Sequence, residues 1–327
     1  MIKFPDIYFL PKWGKLFQEH DQGEAYVFEF KNESGHIYYQ FIKKVVPDEI
    51  NGSVYYDIVS PYGLNGPIIL AADSAKKDLL LAEYDAMFQQ YCMNNNIVAE
   101  YVKFNPWFKN HLDFEKIYTT RYNNYTLYTD LTVPDFFMEE FSSDTRNHIR
   151  KAVKRGVQIE FDFTGASINE FNRLYQITAK KNNISEYFLF DIDFLLKTFT
   201  VLKNNQFIIN AIFEGKYVSS AIFLHYGDYI HYHLCANDPQ YYRLNANSLI
   251  LREACNWAQN NGKKQMHLGG AFSNELFAFK KQFTKNGICD YYVGTKIRNE
   301  VIYNELVTLK LKNGKINNRS FFPLYRG

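Results

Sequence analysis

The chain has 327 residues, 46% of them hydrophobic and 22% charged, which excludes a disordered chain and leaves room for two domains with cores of their own. Its net charge of +2 argues against a nonspecific nucleic-acid binder, and no DNA partner is expected, because backbone binding draws on a pronounced basic excess. The four cysteines, Cys92, Cys235, Cys255 and Cys289, form no C-x-x-C pair, which argues against a structural zinc site and a disulfide framework and fits a reducing compartment.

Residues 1–6 lack the apolar run of a secretion signal. No apolar stretch approaches the roughly 18 residues that a membrane span needs. The expectation is a cytoplasmic monomer with no membrane span, free to touch a membrane surface peripherally. The 18% of aromatic residues reads mostly as core filling, since large rings contribute buried area wherever they pack.

In chain order, residues 23–30 and 37–46 alternate as strands, with Lys31-Asn32-Glu33-Ser34-Gly35 as the turn between them. Residues 55–59 form another strand and run into a Gly/Pro-rich loop, residues 60–67. Leu80, Tyr84, Met87, Phe88 and Tyr91 recur at helical spacing, behind Asp73 or Ser74 as a cap. Residues 98–104 form a strand that Asn105-Pro106 ends.

A change of domain is expected near residues 133–143. The basic stretch 146–156 follows, then a strand over 157–163. Ser167-Ile168-Asn169-Glu170 has the pattern of a capping box, opening a helix whose apolar face is Ile168, Phe171, Leu174 and Tyr175. Three strand-like runs over 207–236 make a meander. A helix beyond Asn247-Ser248 stops at Asn261-Gly262. Residues 265–268 form a strand ending in Gly269-Gly270, residues 276–283 a helix and 291–297 a last strand. From about residue 300 a helix and a strand are expected to return to the first domain.

No phosphate loop, dinucleotide fingerprint or G-x-S-x-G elbow is present. His231 and His233 stand two apart on one strand and should share a face. Without a third ligand at telling spacing they line a cleft or the core rather than hold a metal, so no metal site is expected. No cysteine has an electropositive local sequence of the kind that marks a reactive thiol.

The run from His231 to Ala258, H-Y-H-L-C-A-N-D-P-Q-Y-Y-R-L-N-A-N-S-L-I-L-R-E-A-C-N-W-A, is followed by M-H-L-G-G and then L-F-A-F-K-K-Q-F. Together these resemble the Fem family of peptidoglycan-bridge aminoacyltransferases and their relatives in the GNAT superfamily. The basic stretch 146–156, the loop 60–67 and Lys103-Phe104-Asn105-Pro106 are similar to family segments in the same order.

The resemblance implies a mixed α/β (α+β) fold of two tandem GNAT-like domains, each a mostly antiparallel mixed sheet flanked by helices. The domains would be residues 1–140 and 141–299, with 300–327 packing back on the first and the reaction cleft between them. It further implies an acyltransferase that moves an aminoacyl or acyl group to an amine of a cell-envelope precursor of peptidoglycan or polysaccharide.

By the same resemblance Lys280, after Phe279, stands at a functional lysine, although with Lys281 it also reads as the exposed end of an amphipathic helix. Lys154, Arg150 and Lys15 match basic positions facing an acceptor's diphosphate, and equally suit a solvated face. Tyr62, His233 and Phe279 complete the substrate-binding set. Asn105 replaces an acid of the family pattern, and an amide cannot take a proton.

Arg243, Asn247 and Ser248 fall where CoA-dependent relatives place a pyrophosphate loop. Here Ala246 and Ser248 add Cβ atoms where backbone must approach phosphate. No cofactor is expected to be tightly bound, and the donor is either aminoacyl-tRNA or acetyl-CoA. The acceptor is a small-molecule or lipid-linked sugar or muropeptide precursor, with tRNA a partner in the first case. An acetyl-CoA-dependent N-acetyltransferase of amino sugars and a catalytically silent binding protein are the other readings.

Overall fold

The computed structural model of the protein describes residues 3–271, 273–314 and 316–327. The strands are β1 (Glu24–Asn32), β2 (Gly35–Val45), β3 (Tyr56–Val59), β4 (Ile68–Ala72), β5 (Ile97–Lys103), β6 (Thr119–Asp130), β7 (Gln158–Asp162), β8 (Gln206–Phe213), β9 (Lys216–Tyr226), β10 (Tyr229–Asn237), β11 (Gln265–Gly270) and β12 (Ile288–Ile297). The helices are α1 (Pro11–Phe17), α2 (Lys77–Asn94), α3 (Asn110–Asp113), α4 (Phe136–Glu139), α5 (Ser143–Lys154), α6 (Ile168–Asn182), α7 (Ile192–Leu202), α8 (Ala246–Asn260), α9 (Asn274–Lys281) and α10 (Glu300–Lys312).

The chain divides into two compact units. A central unit comprises Met1–Ile7 and Tyr125–Cys289, and a flanking unit comprises Tyr8–Asn124 and Asp290–Gly327. Met1 and Ile2 lie outside the described residues.

In the flanking unit the hairpin β1–β2 closes through Asn32, whose side chain accepts from the amides of Ser34 and Gly35. β2 also pairs with β4 and with β3, β3 pairs in parallel with β5, and β5 pairs antiparallel with β12. α2 lays Leu80, Leu81, Tyr84, Phe88 and Cys92 on this sheet. Met87, expected on that face, is 54% exposed instead, because the 3.6-residue period carries it off the stripe that Tyr84 and Phe88 define. Leu306 of α10 and Tyr325 pack with Val46, Ile50 and Val98.

In the central unit β7, β8, β9 and β10 form an antiparallel meander, β10 pairs in parallel with β11, and β11 pairs antiparallel with β6. α5 and α8 pack together over the core formed by Phe207, Phe223, Ile230, Met266 and Leu268. α6 covers β9 and β10 and contacts α7.

The capping box expected at Ser167 does not form. Ser167 Oγ donates to Asp162 Oδ2 at 2.7 Å and accepts from Asn210 Nδ2 at 2.9 Å. Asp162 takes the hydroxyl proton and the Asn210 amide occupies the oxygen as acceptor, the role that a cap would need for a helix N–H. Burial alone would raise the Asp162 carboxyl, but hydrogen bonds from Ser167 and Thr164 outweigh it and hold the group well below its ordinary value.

Candidate active site

β10 and β11 pair only over Tyr229–His231 and Gln265–His267. Past that point β10 stays with β9 as far as Asn237, and β11 stays with β6 as far as Gly270. Each strand also shifts register at the parting, β10 between Tyr232 and Leu234 and β11 between His267 and Gly269. A β-bulge adds local twist and bends a strand out of its ladder, so two bulges at one level open a fork between the strands. Tyr232, His233 and Cys235 line one prong and Gly269 and Gly270 the other.

Into this fork α9 delivers Lys280. Ser273 caps α9, accepting from the Leu276 amide at 3.2 Å. Leu276, Phe277 and Phe279 pack on the core of the unit. That packing turns Lys280 inward, leaving it 8% exposed, with its Nζ donating to the Gly270 carbonyl at 2.6 Å. Gly269 has φ +82°, which favours glycine, and a Cβ there would lie 3.0 Å from the Lys280 amine. Burial lowers the Lys280 pKa to about 8, while the nearby Cys235 pulls it upward. Lys281, its sequence twin, instead donates to the carbonyls of Thr284 and Lys285.

The neighbours of Lys280 are shifted as a group. Burial raises the Cys235 thiol, opposed by the Tyr232 hydroxyl and the Lys280 charge. His233 is pushed down to about 3 by burial and by His231; its ring lies 6.5 Å from that of Phe190. His267 is held well below the ordinary imidazole value by burial, then by His231, Lys280 and His233. His231 and His267, both buried, approach at 3.2 Å between their Nδ1 atoms, and His231 Nε2 lies 3.1 Å from Asp6 Oδ1.

α8 starts beside the fork. Asn245, at φ +55°, turns the chain into the helix. Asn247 Oδ1 accepts from the Tyr232 hydroxyl at 2.9 Å, tying the first turn of α8 to β10. Ser248 is buried. Arg243 is exposed in the turn before α8, and its carbonyl accepts from Arg155 Nη1 at 2.5 Å. Arg150 and Lys154 are exposed on α5; the Arg150 guanidinium lies 5.6 Å from the Phe137 ring.

The structure thus brings Lys280, His233, Asn247 and Ser248 to the β10–β11–α8 region and leaves Arg150, Lys154 and Arg243 on the surface of the same unit. Tyr62, Lys15 and Asn105 belong to the flanking unit. There the Tyr62 ring stacks 4.8 Å from Phe17 of α1, its carbonyl accepts from Trp13 Nε1 at 2.6 Å, and its amide donates to Asp21. Lys15 is exposed on the same helix.

Asn105 is buried, and backbone groups occupy its carboxamide. It donates to the Leu64 carbonyl at 3.2 Å and accepts from the amides of Trp107 and Phe108. Sequence reasoning passed over Asp6 and His267. The only available signal was the H-x-H pair, which pointed at His233 rather than across the sheet. Among the described residues no group of three or more His, Cys, Asp or Glu side chains is arranged to hold a metal ion.

Residues 140–281 match the family described as "Acetyltransferase (GNAT) domain". Among solved structures the chain is similar to FemX, at 15% identity and a TM-score of 0.70, covering 92% of this chain and 94% of that one. It is also similar to the C-terminal domain of a putative lysylphosphatidylglycerol synthetase from Agrobacterium fabrum, at 14% identity and a TM-score of 0.56, with coverages of 93% and 94%. L-PGS from Bacillus licheniformis is similar at 14% identity and a TM-score of 0.52, with coverages of 94% and 92%. At these identities the likeness is one of fold. No curated protein matches the chain in sequence.

Proposed function

Taking the chain as a GNAT-type acyltransferase with a Fem-like fold, we propose that the fork between β10 and β11 is where an activated acyl group meets an acceptor amine. The observation that carries this is Lys280, whose buried amine is aimed into the fork and drawn down to about 8. Attack of an amine on an acyl carbon puts negative charge on the former carbonyl oxygen. An ammonium held in place, away from water, stabilises that charge more than a solvated one would. Lys280 has three N–H donors and uses one on the Gly270 carbonyl. Phe279 and His233 shape the site, Asn247 and Ser248 set the start of α8, and Arg243 adds positive charge beside it.

The acceptor in this reading is an amine of a cell-envelope precursor of peptidoglycan or polysaccharide. Arg150 and Lys154, both exposed on α5 of the unit that carries Lys280, would pair with its diphosphate. Asn105 would act by positioning the loop through Leu64 rather than by moving a proton. The names of the similar structures support an aminoacyl donor, since lysylphosphatidylglycerol joins a lysyl group to a lipid. Aminoacyl-tRNA is therefore the donor of the first reading. Acetyl-CoA is the donor of the second, favoured by the acetyltransferase description of residues 140–281 and by the helix start beside the fork.

The test offers the protein a UDP-linked muropeptide with either aminoacyl-tRNA or acetyl-CoA and reads the acceptor's mass. An aminoacyl increment supports the first reading and an acetyl increment the second. Lys280→Ala should lower either rate by about 100-fold or more. Unchanged turnover in that variant would remove Lys280 from the chemistry, and no increment with either donor would sink acyl transfer to this acceptor.

A further inference from the structure

Lys280 reaches the fork from α9 with its side chain nearly out of water, and its Nζ donates to the Gly270 carbonyl at 2.6 Å. Among the described residues it makes no ion pair. The titratable groups that face it are Cys235 of β10 and His267 of β11. Tyr232 is hydrogen-bonded to that thiol, and His233 acts in turn on His267. A lysine keeps its proton through hydration or through a counterion. Lys280 has little of the first and none of the second.

The contact with Gly270 also sets the direction of the amine. When Nζ gives up a proton it keeps an N–H on the Gly270 carbonyl, and its lone pair turns away from that oxygen. Gly269 keeps side-chain atoms off the amine, since a Cβ there would lie 3.0 Å from Nζ. A desolvated neutral lysine is a nucleophile. With a pKa of about 8, about one Lys280 in ten is neutral at pH 7, about 300-fold more than for a lysine at 10.5.

We propose that Lys280 is a self-acylation site: with a donor bound and no acceptor in the fork, the donor's acyl group passes to Nζ and turns the enzyme off. This rests on the acyl-transfer reading above, in which the activated acyl group is brought to this fork. The neutral Nζ attacks the acyl carbon and a C–N bond forms. The bond from that carbon to the donor's ribose oxygen or CoA sulfur breaks. The leaving group departs with the electron pair and takes up the proton that Nζ loses, so the products are an Nε-acyl lysine and free tRNA or CoA.

The amide that results carries no charge. Its one N–H is the one that faces Gly270, so the developing oxyanion loses its ammonium, and the added acyl group occupies the fork. An amide is not an activated acyl group, so the acyl group cannot pass on to an acceptor. The modification is a stop and not an intermediate. Acceptor amine competes with Lys280 for the donor, which makes the enzyme productive when acceptor is plentiful and self-limiting when it is scarce.

Peptide mass spectrometry after incubation with acetyl-CoA, or separately with aminoacyl-tRNA, in the absence of acceptor tests the site. The acyl increment should fall on Lys280 and survive neutral hydroxylamine. It should be absent from Lys281, whose amine is engaged by the carbonyls of Thr284 and Lys285. Labelling should rise about tenfold from pH 6 to pH 7 and level off above about 8, and turnover should fall in step with the label. An increment that hydroxylamine removes is a thioester on Cys235 and would overturn Lys280 as the site.

Lys280→Arg keeps a cation that stays protonated. Its remaining turnover should be untouched by preincubation with donor, and a loss equal to the parent's would overturn the proposal. Acylated acceptor from a preparation whose Lys280 stays unlabelled by donor alone would also overturn it, while the acyl-transfer reading stands. No turnover with either donor would sink that reading instead. Trace labelling with acetic anhydride at pH 7 then decides the amine: Lys280 should react faster than Lys281, and slower reaction would remove it as an acylation site.

Discussion

Burying the ammonium of Lys280 costs folding free energy, and the cost gives the protein a pH dependence. The folded group titrates near 8 against an ordinary value of 10.5. Below about pH 8 the amine is protonated in both states and the penalty is complete. Between about 8 and 10.5 the unfolded chain binds more protons than the folded one, so stability rises with pH across that window. The gap corresponds to about 3 kcal/mol. Lys280→Met keeps the length of the side chain without its charge. It should be more stable than the parent at pH 7 in urea denaturation, lose the rise between pH 8 and 10, and transfer acyl groups far more slowly. A parent-like pH slope in the variant would mean that Lys280 is not the source. Stability given up at one residue for the sake of charge at a reaction site is a common trade, and the proposed role of Lys280 would be a case of it.

At the level of elements, the flanking unit joins α2 to its sheet through one buried cation. Arg298, just past β12, donates from Nε to Glu100 of β5 at 2.5 Å and from Nη1 to Asp85 of α2 at 2.6 Å. Tyr118 donates to the other oxygen of Glu100 at 3.0 Å. The Arg298 and Glu100 side chains are fully buried. Removing one partner leaves an uncompensated charge inside, which costs about 3–5 kcal/mol. Arg298→Met should therefore destabilise the protein by that amount in chemical denaturation. The double variant Arg298→Met with Glu100→Gln should regain part of it, because the stranded carboxylate is gone. Equal losses in the single and double variants would show that shape, not charge, is what Arg298 supplies.

For the molecule as a whole, chain order and compact units do not coincide. The flanking unit takes most of its last strand and its closing segment from Asp290 onward, 166 positions beyond Asn124 (290 − 124), where its first segment ends. β12 pairs Val293 with Lys103 and Ile297 with Ala99. Farther on, Arg326 donates to Asp57 at 2.5 Å, and the Tyr325 hydroxyl donates to the same carboxylate. A fragment of residues 8–124 therefore lacks the cover of β5, the counterion of Glu100 and the partners of Asp57. It should show no cooperative thermal unfolding by circular dichroism, and adding the peptide 290–327 should restore a transition. A sharp transition in the fragment alone would mean that the returning segment is not needed for folding.

The sequence by itself determined what near neighbours control. The hairpin turn within Lys31 to Gly35, the helix carrying Leu80, Tyr84 and Phe88 and the meander over 207–236 were legible because turn chemistry and apolar periodicity act over a few residues, although α2 starts at Lys77, one 3-10 turn past the expected cap at Asp73. The likeness to Fem and GNAT proteins was read from strings such as M-H-L-G-G and F-K-K-Q-F, and the family match over residues 140–281 and the FemX fold agree with it. Tertiary structure alone decided which lysine of the pair 280 and 281 is buried, since packing of Phe277 and Phe279 sets the rotation of α9. It likewise decided that His231 meets His267 and Asp6. Those three residues lie 36 and 225 positions apart, and only the parallel pairing of β10 with β11 and the return of the first residues to this unit bring them together. The Ser167 oxygen likewise accepts from Asn210 of β8, 43 positions away, where the local pattern pointed to a helix amide.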